Sequence, residues 1–210
     1  MDMLAEPGKY SLEGRAIGTV YDSPANGDKP HSIHVQTGLG ARSEAHLLAG
    51  GAVKLGASGP PDVGTRGESQ VQEILIQRLA SEGQPVSALP GATDSRGEDG
   101  LLIIDGNQYT LQVTAVPPSA EYWGTAARGS ATTEVANQGA VGWLRRAVLA
   151  KSGVDDRSRT ILAIDARHAG VLADPAIAEA YRQTYSSPSK EFGFAQAWVV
   201  GPTSSNCTNL

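Results

Sequence analysis

The clearest pattern in the chain is a set of apolar residues spaced for one face of a helix, over residues 66 to 81. They recur at intervals of three and four residues: Val71, Ile74, Leu75 and Leu79. Gly83 follows as a helix terminator, and Thr65 and Glu68 hold the two positions of a capping box. The pattern predicts an amphipathic helix that buries one face.

Two apolar, β-rich runs on either side of Asp105-Gly106 predict a β-hairpin, because this dipeptide suits the positive φ angles of a two-residue turn. With these two residues as the loop, Asp99 stands opposite Gln112. The alternative loop, one residue later, places Asp99 opposite Thr114 instead. Gln112 and Thr114 are two residues apart, so they share one sheet face in either register.

The remaining elements mix strands and helices. A short strand over residues 85 to 90 precedes the hairpin, and a long helix is predicted over residues 130 to 151 after it. A strand over residues 160 to 166, a helix capped by Asp174 and a closing strand over residues 194 to 200 follow. This mixture predicts an α/β fold in which helices cover a mixed sheet.

The first part of the chain has a different texture, rich in Gly, Pro, Ser and Asp, with short apolar stretches. Alternating residues predict short strands over residues 14 to 22 and 31 to 37, and residues 43 to 50 are predicted to form one or two helical turns. We therefore predict an irregular, β-containing N-terminal extension over residues 1 to 64 and an α/β domain over residues 65 to 210.

Composition and charge narrow the class of protein. With 40% hydrophobic and 19% charged residues, the chain is neither disordered nor a coiled coil. The sequence has no membrane-length apolar run and no signal-peptide pattern, which predicts a cytoplasmic protein without a membrane partner. Cys207 is the single cysteine, which excludes an internal disulfide. The net charge of −5 argues against coating nucleic acid through bulk charge, although residues 128 to 168 carry seven basic and four acidic side chains.

Polar residues in the apolar hairpin are the main candidates for chemistry. Asp99, Gln112 and Thr114 are expected on one sheet face, and Glu68 lies on the apolar stripe of the first helix. Each position has a structural alternative: Glu68 as a capping-box partner, Asp99 as a loop residue and Gln112 as a hydrogen-bonded residue beneath a helix. We favour a functional site because the positions are expected to converge.

The order of these elements resembles the conserved core of the PD-(D/E)xK phosphodiesterase superfamily, the restriction-endonuclease-like nucleases, over about residues 65 to 201. Glu68 resembles the helix glutamate of that family, Asp99 resembles its aspartate, and Gln112-Val113-Thr114 resembles its strand triplet. The resemblance implies a restriction-endonuclease-like mixed sheet sandwiched by helices. It also implies a Mg²⁺ or Mn²⁺ ion held by four residues: Glu68, Asp99, Gln112 and, through its carbonyl, Val113.

Three positions depart from the family pattern. Glu98 stands in place of proline, Gln112 in place of an acid, and Thr114 in place of lysine. A carboxamide oxygen still suits Mg²⁺, but threonine supplies no positive charge to a phosphate. The predicted substitutes for the missing charge, and the predicted nucleic-acid contacts, are three arginines: Arg128, Arg145 and Arg146.

The function implied by the resemblance is metal-dependent hydrolysis of phosphodiester bonds in nucleic acid, with DNA favoured over RNA. Thr114 then orients water while the other site residues hold the metal. The alternative is a catalytically inactive relative that binds nucleic acid or docks a protein. The missing lysine favours the inactive relative, and the retained Glu, Asp and Gln favour the nuclease. A homodimer or a partner protein is compatible with both.

Overall fold

The computed structural model describes residues 8–12, 15–26, 29–37, 40–60, 65–89, 98–117 and 119–210. The described strands form two six-stranded sheets, which give the protein an α/β fold. All pairings in the first sheet are antiparallel. In spatial order its strands are β1 (Gly8–Leu12), β2 (Arg15–Ser23), β3 (His31–Thr37), β4 (Arg42–Leu47), β5 (Val53–Ser58) and β9 (Ser130–Val135).

The second sheet is mixed, as predicted for residues 65 to 210. In spatial order its strands are β12 (Cys207–Asn209), β11 (Gln196–Val200), β10 (Thr160–Asp165), β8 (Asn107–Ala115), β7 (Gly100–Ile104) and β6 (Val86–Ala88). Strand β10 runs parallel to both β8 and β11, and the other pairs are antiparallel.

Five α-helices accompany these strands in the described part of the chain. They are α1 (Thr65–Ser81), α2 (Ala120–Arg128), α3 (Asn137–Lys151), α4 (Pro175–Tyr185) and α5 (Pro188–Phe192). The predicted cap of α4 is confirmed, because Asp174 Oδ1 accepts a hydrogen bond from the Ala176 amide at 2.8 Å. No helix in these described segments is long and apolar enough to cross a membrane.

Two helical predictions are wrong. Residues 43 to 50 form most of β4 and the start of a short 3₁₀ turn, because Ser43 and Ala45 point inward while Arg42 and Glu44 are exposed. Residues 130 to 151 do not form one helix, since the first six are strand β9, which pairs with β5. Residues 130 to 135 form a strand because their β-branched residues pair with β5, and this tertiary contact outweighs the local helical pattern.

The two faces of the second sheet are covered differently. The apolar stripe of α1 packs with Leu111 and Val113 of β8 in one buried cluster, which confirms the predicted helix face. Buried residues of α3 pack with Leu162 and Ile164 of β10, which are the register partners of Gln112 and Thr114. The even-numbered residues of β8 therefore face α3, and the odd-numbered residues face α1.

The first sheet and the second share a core. The cluster beneath α3 also contains inward-facing residues of β3 and β5, among them Ile33, Val35 and Leu55. Strand β9, which follows α2 in the chain, completes the first sheet. The predicted division at residue 64 therefore falls between β5 and α1 along the chain, but it does not separate two cores. The predicted irregular extension contributes five regular strands to a sheet.

Candidate active site

The hairpin between β7 and β8 fixes the position of the candidate site. Asp105 and Gly106 both have positive φ angles, of 50° and 78°, as a two-residue turn of this type requires. Ile104 pairs with Asn107, and the register continues to Gly100 opposite Leu111. The first of the two predicted registers is therefore confirmed, with Asp99 next to Gln112.

Asp99 extends the ladder by one residue beyond β7. Its backbone amide donates to the Leu111 carbonyl at 3.0 Å, and its Oδ2 accepts a hydrogen bond from the Val113 amide at 2.6 Å. The carboxylate is thus held against the backbone of the neighbouring strand. Because the N–H and C=O of one strand residue point to the same side, the Val113 carbonyl is also directed toward the Asp99 side.

Lys151, the last residue of α3, brings a positive charge to this point. Its Nζ lies 2.7 Å from Gln112 Oε1 and 3.4 Å from Asp99 Oδ2. Only 25% of the Lys151 side chain and 17% of the Asp99 side chain are exposed, so the contact is largely shielded from water. The structure therefore assembles a carboxylate, a carboxamide and an ammonium group from three different elements.

Lys151 is not among the site residues that the sequence predicts. A lysine in the last turn of a helix is ordinarily explained by its favourable interaction with the helix dipole. One signal was available, because Lys151 follows Leu144, Ala147 and Val148 by seven, four and three residues, so it continues the buried stripe of α3. A lysine at the end of an apolar stripe is directed toward whatever that stripe covers.

Thr114 and Gln112 share the α3 face of β8, as predicted. Gln112 is buried and Thr114 is half-buried, beside Ile164 of the parallel strand β10. Val113 faces α1 with its side chain, so only its backbone belongs to the site.

Glu68 belongs to α1, and the apolar stripe of α1 does not pack on the face of Asp99 and Gln112. The helix α1 covers the opposite face of the sheet, since its stripe packs on Leu111 and Val113. Its N-terminal half nevertheless lies at the same end of the hairpin, because Gln72 Nε2 donates to the Leu101 carbonyl at 3.0 Å. Glu68 precedes Gln72 by about one turn of α1. The Thr65 side chain, its predicted capping partner, lies outside the described residues.

The predicted substitute cations are placed differently. Arg145 makes two hydrogen bonds to Glu191, of 2.5 and 2.6 Å, and its guanidinium lies about 5 Å from the ring centres of Tyr185 and Phe192. This paired arginine ties α3 to α5. Arg128 and Arg146 are exposed.

The Arg145 contact also shifts ionisation. The hydrogen bonds from Arg145 lower the pKa of the Glu191 carboxyl below its usual 4.5, and the same contact raises the pKa of Arg145.

Cys207 is buried in β12, and this burial raises the pKa of its thiol to about 12. A thiol with so high a pKa is a poor nucleophile at neutral pH.

The side-chain oxygens of Asp99 and Gln112 are of the kind that binds a hard cation such as Mg²⁺. Asp99 and Gln112 direct one carboxylate oxygen and one amide oxygen toward the same positive group, which is the ammonium of Lys151. Both oxygen types are ligands of Mg²⁺, which retains several water molecules when few protein ligands are present. Within the described segments, no group of three or more His, Cys, Asp or Glu side chains is arranged to hold a metal ion. Any ion here would be bound by few protein ligands.

Comparison of the chain with protein-family models, with curated proteins and with solved structures gave no match.

Proposed function

We propose that the protein is a divergent PD-(D/E)xK-type nuclease that hydrolyses phosphodiester bonds in nucleic acid with Mg²⁺ or Mn²⁺. The observation that carries the proposal is the convergence of Lys151 on Asp99 and Gln112. The strand triplet lacks a lysine, and Lys151 brings an ammonium group to the same face from α3. The departure at Thr114 therefore does not leave the site without a cation.

The arrangement of elements supports the same proposal. Helix α1, strands β6, β7 and β8, helix α3 and strand β10 follow one another in the order of the restriction-endonuclease-like core. Helix α2 and strand β9 are inserted between the third strand and α3, and β9 joins the first sheet. Neither of these two elements belongs to the hairpin or to α3, which carry the proposed site.

Each residue has a distinct role in the proposed reaction. Asp99 and Gln112 hold the metal together with the Val113 carbonyl, and Glu68 approaches the same end of the sheet from the α1 side. The bound ion supplies Lewis-acid polarisation of the phosphate and a more acidic water. Lys151 stabilises the negative charge that develops on the phosphate oxygens, and such a donor in a shielded site contributes about a hundredfold or more in rate.

Thr114 completes the proposed site as a hydrogen-bonding group. It lies two residues beyond Gln112 on the same face of β8, and its hydroxyl is able both to donate and to accept. We propose that this hydroxyl orients the attacking water. The substrate is nucleic acid, with DNA favoured over RNA.

One observation favours the second candidate function, a catalytically inactive module that binds nucleic acid or docks a protein. The Lys151 ammonium already contacts both oxygens that would bind a metal. In an inactive relative this ion pair is only a structural link between α3 and the hairpin. The two functions differ in whether metal-dependent cleavage occurs at all.

Cleavage assays on purified variants test the proposal. Plasmid DNA and single-stranded RNA are incubated with Mg²⁺ or Mn²⁺ and with the parent, Asp99→Asn, Lys151→Met and the control Lys190→Met, an exposed lysine on α5. We expect metal-dependent cleavage by the parent and the control, and a loss of about a hundredfold or more in the other two. A parent that cleaves neither substrate above a metal-free blank would leave the inactive module as the correct function.

A further inference from the structure

The Lys151 ammonium and a metal ion would compete for the same two oxygens. Nζ contacts Gln112 Oε1 at 2.7 Å and Asp99 Oδ2 at 3.4 Å, and the proposed function assigns these two side chains to the metal. We propose that Lys151 occupies the cation position of the metal-free site, and that a divalent ion enters only when the ammonium is displaced. This inference rests on the proposed function.

Charge and space make the two states exclusive. A Mg²⁺ ion binds oxygen at about 2.0–2.1 Å and demands near-octahedral geometry. An ammonium group in hydrogen-bond contact with the same oxygens would lie within a few ångströms of that ion, where two positive charges repel strongly in a shielded site. One of the two cations must therefore leave.

Lys151 is the partner that is free to move. Gln112 is fixed on a central strand, and the Asp99 carboxylate is held by the Val113 amide at 2.6 Å. Lys151 is the last residue of α3, and its ammonium sits at the end of a flexible four-carbon stem. The ammonium can swing aside while both oxygens keep their positions.

A phosphate group changes the balance between the two states. When the ammonium leaves Asp99 and Gln112, an anionic phosphate oxygen offers it a replacement partner. Nucleic acid should then strengthen metal binding, and metal should strengthen nucleic-acid binding by the same factor, because coupling between two sites is reciprocal. Lys151 would thus link metal entry to the presence of substrate.

The test is direct titration of metal without turnover. Mn²⁺ binding is measured by isothermal titration calorimetry on the parent, Lys151→Met, the control Lys190→Met and the double variant Asp99→Asn with Lys151→Met. We expect Lys151→Met to bind Mn²⁺ about tenfold more tightly than the parent, since hydrogen bonds to charged groups have this order of strength. Lys190→Met should match the parent, and the double variant should lose the gain. Lys151→Gln serves as a second replacement if the methionine variant does not fold.

The outcomes separate the inference from the proposed function. Equal Mn²⁺ affinity in the parent and Lys151→Met, with metal-dependent cleavage by the parent, overturns the competition and leaves the nuclease. No Mn²⁺ binding by either protein, together with no cleavage, overturns both. A second titration adds a phosphorothioate oligonucleotide that resists cleavage. It should raise the Mn²⁺ affinity of the parent by a larger factor than that of Lys151→Met, and an equal rise in both would refute the coupling through Lys151.

Discussion

Replacing Asp99 with alanine should destabilise the metal-free protein. The Asp99 carboxylate accepts a hydrogen bond from the Val113 amide at 2.6 Å and lies 3.4 Å from the Lys151 ammonium. Alanine removes both contacts, leaving the Val113 amide without its side-chain acceptor and Lys151 with Gln112.

The size of the loss follows from these two contacts. A hydrogen bond to a charged group contributes about 1.5–3 kcal/mol, and a partly exposed ion pair adds at most about 1 kcal/mol. Water at the partly exposed carboxylate recovers some of this, so we expect a net loss of about 2 kcal/mol in the free energy of unfolding. For a chain of this size that corresponds to a fall of roughly 4–8 °C in Tm.

Thermal unfolding without divalent metal measures the effect. Asp99→Asn retains an acceptor for the Val113 amide and should lose less than about 1 kcal/mol. Asp155→Ala, an exposed aspartate after α3, is the control and should change Tm little. If the Asp99 carboxylate instead lay against a second carboxylate, such as that of Glu68, Asp99→Ala would raise Tm, because removing one of two like charges relieves repulsion. An Asp99→Ala protein as stable as the parent, or more stable, would therefore refute the contacts assigned to this carboxylate.

Two further predictions concern the cations of α3. Thr114→Lys introduced into Lys151→Met should restore much of the cleavage rate that Lys151→Met loses, because both side chains reach the α3 face of the hairpin. Initial rates of plasmid DNA cleavage measure this recovery. An absence of recovery would place Thr114 away from the phosphate. Arg145→Ala should lower Tm while leaving the salt dependence of nucleic-acid binding unchanged. Because Arg145 lowers the pKa of Glu191, the stability from this pair is present above the unfolded-state pKa of about 4.5 and is lost as pH falls through the lower folded-state value. The Tm difference between parent and Arg145→Ala should therefore shrink in acid, and a constant difference would contradict the ion pair.

Local rules were enough to predict the hairpin and to limit its register to two alternatives. The sequence offered two loops one residue apart, and the structure selects the Asp105-Gly106 turn, which places Asp99 beside Gln112. The apolar stripe of α1 was equally readable, because its spacing is set by the helix repeat. These features depend on residues that are close in sequence.

Features that depend on distant partners could not be read in the same way. Strand β9 looked like the start of a long helix, because its partner β5 lies more than 70 residues earlier in the chain. The position of Glu68 depended on which face of the sheet α1 covers, and tertiary packing decides that face. Arg145 and Lys151 both lie on α3, and only the packed structure separates an arginine paired with Glu191 from a lysine beside Asp99.

In the proposed nuclease, the chemistry depends on where the ammonium group lies, and more than one position in the fold can carry it. Asp99 and Gln112 need the rigid hairpin, since each must present an oxygen in a fixed place. A lysine has a long stem, so its ammonium can reach one point from a strand residue or from the end of α3. The triplet on β8 therefore carries a neutral Thr114 at the position where the resemblance implies a lysine. The charge arrives from 39 residues away along the chain, and only the fold places it beside Gln112.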